Sequence, residues 1–171
     1  MNYFELIKSR FSVRSFKKEA IAVETLNAIL EAGRLAPTAC NNQPQKVYAV
    51  KSEEKRAALA KVSPCTFGAP TVLVVGYDKT RDWKNRRMPG YSSGETDAAI
   101  VCTHMMLAAW ELGVGSCWVG VFNADEVSAA LGLPENIRVT SLLPIGYPAD
   151  DAKPMDLHSQ YRDFDDTVAI L

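Results

Sequence analysis

A chain of 171 residues, 47% hydrophobic and 23% charged, has the size and make-up of one domain with a substantial core. A net charge of -1 at pH 7 gives no electrostatic reason to bind nucleic acid or an anionic membrane. The longest near-apolar run, Ala98 to Trp110, is too short to span a bilayer, and the opening MNYFELIKSR has Glu5 and no apolar core segment, so neither a membrane span nor a signal peptide is expected.

Asn2-Tyr3-Phe4-Glu5 has the form of a capping box and opens a helix to about Arg10. Residues 8–18, KSRFSVRSFKK, hold five cations and no acid. Arg10, Ser12 and Arg14 alternate, so extended chain puts them on one face and Phe11 and Val13 on the other. Two guanidinium forks and a hydroxyl on one face suit a phosphate, although a solvated basic turn accounts for the same spacing. A second helix begins near Val23, carries Leu26, Ile29, Leu30 and Gly33 on one face, and is stopped by Pro37. The loop that follows, APTACNNQPQ from Ala36 to Gln45, is rich in amides and has no charge. Turn chemistry explains part of it; the surplus of neutral donors and acceptors suits an uncharged heterocycle.

Lys46 to Val50 reads as a strand and Glu53 to Val62 as a helix. Thr71 to Tyr77, TVLVVGY, is a continuous β-branched run suited to a sheet centre. Residues 78–94 form a polar loop with Lys79, Arg81, Lys84, Arg86 and Arg87. Glu95 to Leu112 is a helix apolar nearly all round, to be buried on most sides. Gly115 to Val121 reads as a strand. The glycines of GVGSCWVG, residues 113–120, do not make a dinucleotide turn, because Trp118 stands where the last glycine belongs and the order is helix then strand. Asn123 caps a helix to about Leu131, and Arg138 to Ile145 is a strand ended by Gly146-Tyr147-Pro148. The last twenty or so residues are acidic, have no core of their own, and are expected to lie across another surface. The whole is an α+β domain with helices on both faces of one sheet.

Cys102 and Cys117 sit in apolar runs and read as inert core residues; Cys40, with no histidine near it in sequence, reads as structural. Four dispersed cysteines with no C-x-x-C, and only two histidines, argue against a disulfide framework or a zinc site and for a reduced, cytoplasmic protein. His104, on the apolar helix, reads as a satisfied core histidine. Arg162, in HSQYR, is either a surface charge or a third cation for the same phosphate.

Five pieces in one order resemble the FMN-dependent nitroreductase family, its small single-domain members especially, over nearly the whole chain. They are Arg10-Phe11-Ser12-Val13-Arg14 as R-x-S-x-R, Ala36 to Pro44 as A-P-[ST]-x-x-N-x-Q-P, Leu112 to Gly120 as L-G-x-G-S-x-W-x-G, LLPIGYP at 142–148, and the late Arg162. The resemblance implies a three-layer α/β/α sandwich and a homodimer with two FMN at the subunit interface. It implies one domain over residues 1–171 whose tail, from about 149, wraps the partner. By position, Arg10 and Arg162 resemble the phosphate ligands, with Phe11 in the same arm. Ser12 and Arg14 resemble contacts to the ribityl chain and pyrimidine edge. Pro37, Thr38, Ala39, Asn41 and Gln43 resemble the loop that lines the flavin, usually from the partner chain. Trp118, Val119 and Gly120 resemble the backbone segment facing its central ring.

The activity so implied is ping-pong hydride transfer from NAD(P)H to an electron-poor acceptor, a nitroaromatic or quinone, with flavin N5 carrying the hydride and no catalytic side chain. A non-catalytic flavin-binding or regulatory protein, or a reductive dehalogenase-like enzyme, would share the motifs. One departure is Gln45, where the family often has Trp, so packing behind the loop is expected to differ.

Overall fold

Every residue of TVLVVGY is buried, on both sides of the strand, so helices must cover both faces of the sheet that holds it. The computed structural model, which describes residues 2–171, shows that sheet as four strands in the order β1-β2-β4-β3, antiparallel throughout. The strands are β1 Gln45–Val50, β2 Thr71–Asp78, β3 Gly115–Ser116 and β4 Ile137–Gly146. The helices are α1 Tyr3–Ser9, α2 Val23–Arg34, α3 Glu53–Val62, α4 Gly94–Glu111, α5 Ala124–Leu131 and α6 Phe164–Thr167. Single 3-10 turns lie at Ala39–Asn41, Pro64–Thr66 and Asp156–Ser159.

Alternation along the strands sorts the core into two layers. Leu73, Val75, Leu143 and Ile145 pack with α2 and α4 on one face. Val72, Val74, Val139 and Leu142 pack with Leu59 of α3 and Val127 of α5 on the other. This is the expected three-layer α/β/α arrangement. Val139 and Leu142 are an odd number of residues apart yet share a face, because Thr140 is an extra residue in the ladder. Val75 pairs with Ser141 and Gly76 with Val139, and the Thr140 hydroxyl donates to the Val75 carbonyl at 3.2 Å.

Local signals placed most elements within a residue of their observed ends. The capping box is made: Asn2 Oδ1 accepts from the Glu5 N–H and the Glu5 carboxylate accepts from the Asn2 N–H, both at 3.0 Å. Asn123 Oδ1 caps α5 by accepting from the Asp125 and Glu126 N–H groups.

Two expectations are corrected. The strand expected over Gly115–Val121 is only Gly115–Ser116, followed by a lone bridge between Val119 and Leu142. Its neighbour in β4 is Pro144, which accepts from the Cys117 N–H at 3.2 Å but has no N–H to return, so the ladder is interrupted there. His104 is not a core histidine. Between Asp97 and Trp110 it is the exposed residue of α4, on the stripe that neither α2 nor the sheet covers.

Candidate functional site

Residues 10–17 lie extended between the end of the sheet and the start of the tail. Ser12 bridges Ser116 in parallel register, and the Val13 N–H donates to the Ser116 carbonyl at 2.9 Å. On the other side Lys17 N–H donates to Tyr147 O, Ala149 N–H donates to Ser15 O, and the Lys17 ammonium meets Asp150 at 2.7 Å. Alternation then does what the sequence implied. Val13 points inward and is fully buried, while Arg10 and Ser12 are half-buried and Arg14 is exposed.

Phe11 turns away from that row. Its ring meets Trp110 of α4 edge-to-face at 5.1 Å and His158 at 6.4 Å. Arg10, Phe11, Ser12 and Arg14 line a cavity of about 200 Å³ closed by Met155, Leu157 and His158 of the tail. Of these three only His158 lies in a stretch singled out above, HSQYR, and there the reading fell on Arg162. Arg162 is exposed and is not among the residues lining this cavity.

The amide loop is strained and heavily braced. Cys40, Asn41 and Gln43 hold φ of 50°, 54° and 48°, left-handed backbone in residues that are not glycine. Each costs on the order of 1–2 kcal/mol, so something must over-determine the conformation. Thr38 Oγ1 accepts from the Gln43 N–H at 3.1 Å. Asn42 Nδ2 donates to the Arg81 carbonyl at 3.2 Å. The Ala39 N–H donates to Asp97 Oδ1 at 3.0 Å, and Asp97, buried in the first turn of α4, also accepts from Ser93 Oγ at 2.7 Å.

The surplus of amides is therefore partly structural. Asn42 ties the loop to the chain after β2, and Gln43 Nε2 donates to Asn41 O at 3.4 Å. Pro37, Asn41 and Gln43 stay exposed, with Thr38 and Ala39 half-buried. Asp97, the one acid between Thr96 and Trp110, braces the loop and was passed over by the sequence reading. Its signal was an acid followed by a run of α4 with no further charge until Glu111.

Gln45, at the family departure, begins β1 with its Oε1 buried and without a hydrogen-bond partner among the described residues. It lines a cavity of about 200 Å³ behind the loop, between Tyr48, Arg81 and Asn136.

The third predicted segment lies directly beside the first. The Ser12–Ser116 bridge sets Arg10, Ser12 and Arg14 against Cys117, Trp118 and Val119. Burial pushes the Cys117 thiol above its usual pKa, against the opposing pull of the Arg14 guanidinium and a hydrogen bond with Ser12. Val119 is buried; Trp118 is 38% exposed, its ring lining a separate cavity with Glu95 and Arg138. Gly120 is exposed, and a Cβ there would meet nothing within 4 Å, so its backbone is open to a ligand.

Two of the three predicted groups thus meet in one chain and the third does not. The basic arm is anchored at Trp110 and the amide loop at Asp97, thirteen residues apart on α4. At the helical rise this is about 20 Å. What the arm and the 117–120 segment can do together is hold an anionic group by its oxygens and offer backbone to a flat ring. Among the described residues no group of three His, Cys, Asp or Glu is placed to hold a metal, and no helix is long and apolar enough to cross a membrane.

Known proteins share this sequence pattern and fold. The sequence matches the model of the nitroreductase family over residues 7–66 and 62–147. A Bacillus subtilis protein named FMN reductase [NAD(P)H] is 32% identical over 166 residues, 85% of this chain and 67% of that one. The crystal structure of a nitroreductase family protein from Clostridium difficile superposes with a TM-score of 0.92 at 32% identity, covering 99% of this chain and 98% of the other. A nitroreductase with bound FMN from Bacteroides fragilis does so with a TM-score of 0.75 at 28% identity, over 100% of both chains.

Proposed function

The chain belongs to the nitroreductase family, and from that premise we propose how it works as an FMN-dependent NAD(P)H oxidoreductase. The observation that carries the reading is the parallel Ser12–Ser116 bridge, which sets two guanidinium groups and a hydroxyl beside an open stretch of backbone at Gly120. That donor set fits FMN: charge-assisted donors for a phosphate at one end, an unobstructed peptide for a ring at the other. When bound, FMN supplies hydride chemistry, which we assign as ping-pong transfer from NAD(P)H to an electron-poor acceptor of the nitroaromatic or quinone type.

The chain's own residues bind, orient and polarise. Arg10 and Ser12 would hold the phosphate and ribityl end. Arg14 adds a fixed positive charge beside them, which favours an electron-rich ring. The Gly120 N–H, which donates to no backbone group among the described residues, is available to the ring. Pro37, Thr38, Ala39, Asn41 and Gln43 would cover the ring from a second subunit, because in their own chain they sit at the far end of α4. Arg162 would reach the phosphate from the exposed tail.

A homodimer with shared sites follows from that separation. α1 has no buried residue and exposes Tyr3 (62%) and Phe4 (77%), while the tail exposes Tyr161 (78%) and Ile170 (96%), apolar surface that a partner would cover. The tail from about 149 would then wrap the neighbour, in keeping with a single domain per chain and a cytoplasmic setting.

The first test is colour. The purified protein should carry a flavin spectrum, and NADH or NADPH should bleach it anaerobically. A protein that takes up no FMN sinks the reading; one that binds it but resists bleaching is a flavin-binding protein instead. Replacing Arg10 by Ala removes a charge-assisted hydrogen bond of roughly 1.5–3 kcal/mol, so FMN affinity should fall about 10- to 150-fold. Flavin fluorescence titrated with apo-protein reads this, and an unchanged dissociation constant removes Arg10 from the site.

The shared site is tested by complementation. Arg10→Ala and Asn41→Ala chains, each impaired alone, are mixed and allowed to exchange. In trans, the heterodimer has one intact and one doubly damaged site, and activity partly returns. A heterodimer confirmed by tagged co-purification yet no more active than its parents would show that the residues act in one chain.

The cysteines are expected to be dispensable. Burial pushes the Cys102 thiol up to about 11, and among the described residues all four are free thiols. A Cys40→Ala, Cys65→Ser protein should keep most of its NAD(P)H oxidation rate. A collapse of that rate with flavin still bound would reveal thiol chemistry.

A further inference from the structure

The segment between β2 and α4 plays no part in the flavin site as described. Residues 79–93 hold Lys79, Arg81, Lys84, Arg86 and Arg87 against the single acid Asp82. The segment is built rather than loose. Lys84 bridges Ser92, the Asn85 N–H donates to Tyr91 O at 3.0 Å, and Asn85 Oδ1 accepts from the Arg87 N–H at 2.9 Å. The Tyr91 N–H donates to Met88 O at 3.1 Å across Pro89-Gly90, with Gly90 at φ 89°, the backbone of a type II turn that needs glycine at its third position. At its base Asp82, 6% exposed, takes Lys84 into an ion pair at 2.6 Å.

Neutralising Lys84 leaves the outer cations in command. Arg86 and Arg87 stand exposed before the turn, and among the described residues neither makes an ion pair. Beside them Tyr91 and Met88 are 42% and 51% exposed. Two guanidinium forks next to an accessible ring suit a ligand with a phosphate and a flat heterocycle. Position narrows the choice further. The Asn42 to Arg81 hydrogen bond and the shared anchor at Ser93 and Asp97 hold this hairpin against the amide loop, so in the shared-site reading above it would stand on the rim of the partner subunit's flavin site.

We propose that the hairpin 84–92 seats the adenosine end of the nucleotide, with Arg86 and Arg87 on the 2′-phosphate and Tyr91 against the adenine, so that the enzyme prefers NADPH to NADH. This rests on the oxidoreductase reading above. A 2′-phosphate offers the forks a dianion with three acceptor oxygens where NADH has only a hydroxyl. Both arginines are in water, so the preference is screened by salt.

The test separates binding from turnover. Adenosine 2′,5′-bisphosphate and adenosine 5′-monophosphate are titrated calorimetrically into the flavin-loaded protein. The bisphosphate should bind at least about tenfold tighter, with the gap narrowing as salt rises. Arg86→Ala/Arg87→Ala should abolish the gap with flavin content and melting temperature unchanged. In turnover the same variant should raise KM for NADPH by about 10- to 100-fold at constant kcat, and KM for NADH by less than about threefold. Equal binding of the two nucleotides, or a preference that survives the double variant, overturns the proposal. A preference lost in the double variant, in a protein that oxidises neither NADH nor NADPH, upholds the nucleotide seat and sinks the oxidoreductase reading instead.

Discussion

Asp97→Ala should lower stability by about 3–5 kcal/mol, because it strips two hydrogen bonds from a buried carboxylate and leaves their donors unpaired. The donors are the Ala39 N–H at 3.0 Å and Ser93 Oγ at 2.7 Å, and Asp97 is 2% exposed, so water cannot replace it without opening the structure. The carboxylate also lies in the first turn of α4, where it complements the helix dipole. The local consequence should exceed the global one. Cys40, Asn41 and Gln43 keep left-handed backbone only while the loop is held, so losing the Ala39 anchor lets them relax. Urea unfolding of the variant, with flavin retention measured alongside, checks both effects. Asp97→Asn keeps an acceptor for the Ala39 N–H and should fall between the two. An Asp97→Ala protein as stable as the parent would mean that the loop is held by its other bonds alone.

Gly115→Ala should release flavin more than it unfolds the protein. A Cβ at Gly115 would lie 2.6 Å from Val13 Cγ2 and 2.9 Å from Val13 Cβ, with Pro148 Cγ at 3.1 Å on the other side. Val13 is fully buried and its N–H is bonded to Ser116 O, so it cannot swing aside without carrying Ser12 and Arg14 with it. Overpacking of this kind costs about 1–3 kcal/mol. The displaced arm should lose FMN affinity by about tenfold or more, since hydrogen-bond geometry degrades within a few tenths of an ångström. Gly33→Ala is the control. Its Cβ would press on Met105 Cγ and Sδ at 2.7 and 2.9 Å, but these belong to a long flexible side chain, and alanine favours the helix. Flavin dissociation constants that move equally in both variants would detach the arm from the flavin site.

The contrast between the two glycines shows what kind of information a sequence holds. Gly33 and Gly115 look alike in the chain; one faces a side chain that gives and the other a buried β-branched residue on the arm. The same division runs through the molecule. Elements governed by near neighbours in sequence were legible: the Asn2–Glu5 box, the Asn123 cap, the helix Glu53–Val62 and the doubly buried β2 all answer to periodicities of two or 3.6 and to caps within four residues. The one-sided placing of Arg10, Ser12 and Arg14 was legible too, because extended chain alternates its side chains.

The tertiary structure decided the rest. It set the 115–121 segment as a two-residue strand, since the missing N–H belongs to Pro144, far off in sequence. It placed His104 on an open stripe of α4, which no hydropathy count distinguishes from a covered one. It turned Asn42 inward to the Arg81 carbonyl and made Asp97 the anchor of a strained loop. It also put the arm and the amide loop at opposite ends of one helix. By itself, then, the sequence determined the layers, the caps and which residue types the candidate site presents, because these depend on local periodicity and composition. Which amide faces a ligand and which braces the fold depends on partners that only three-dimensional packing brings within hydrogen-bond reach.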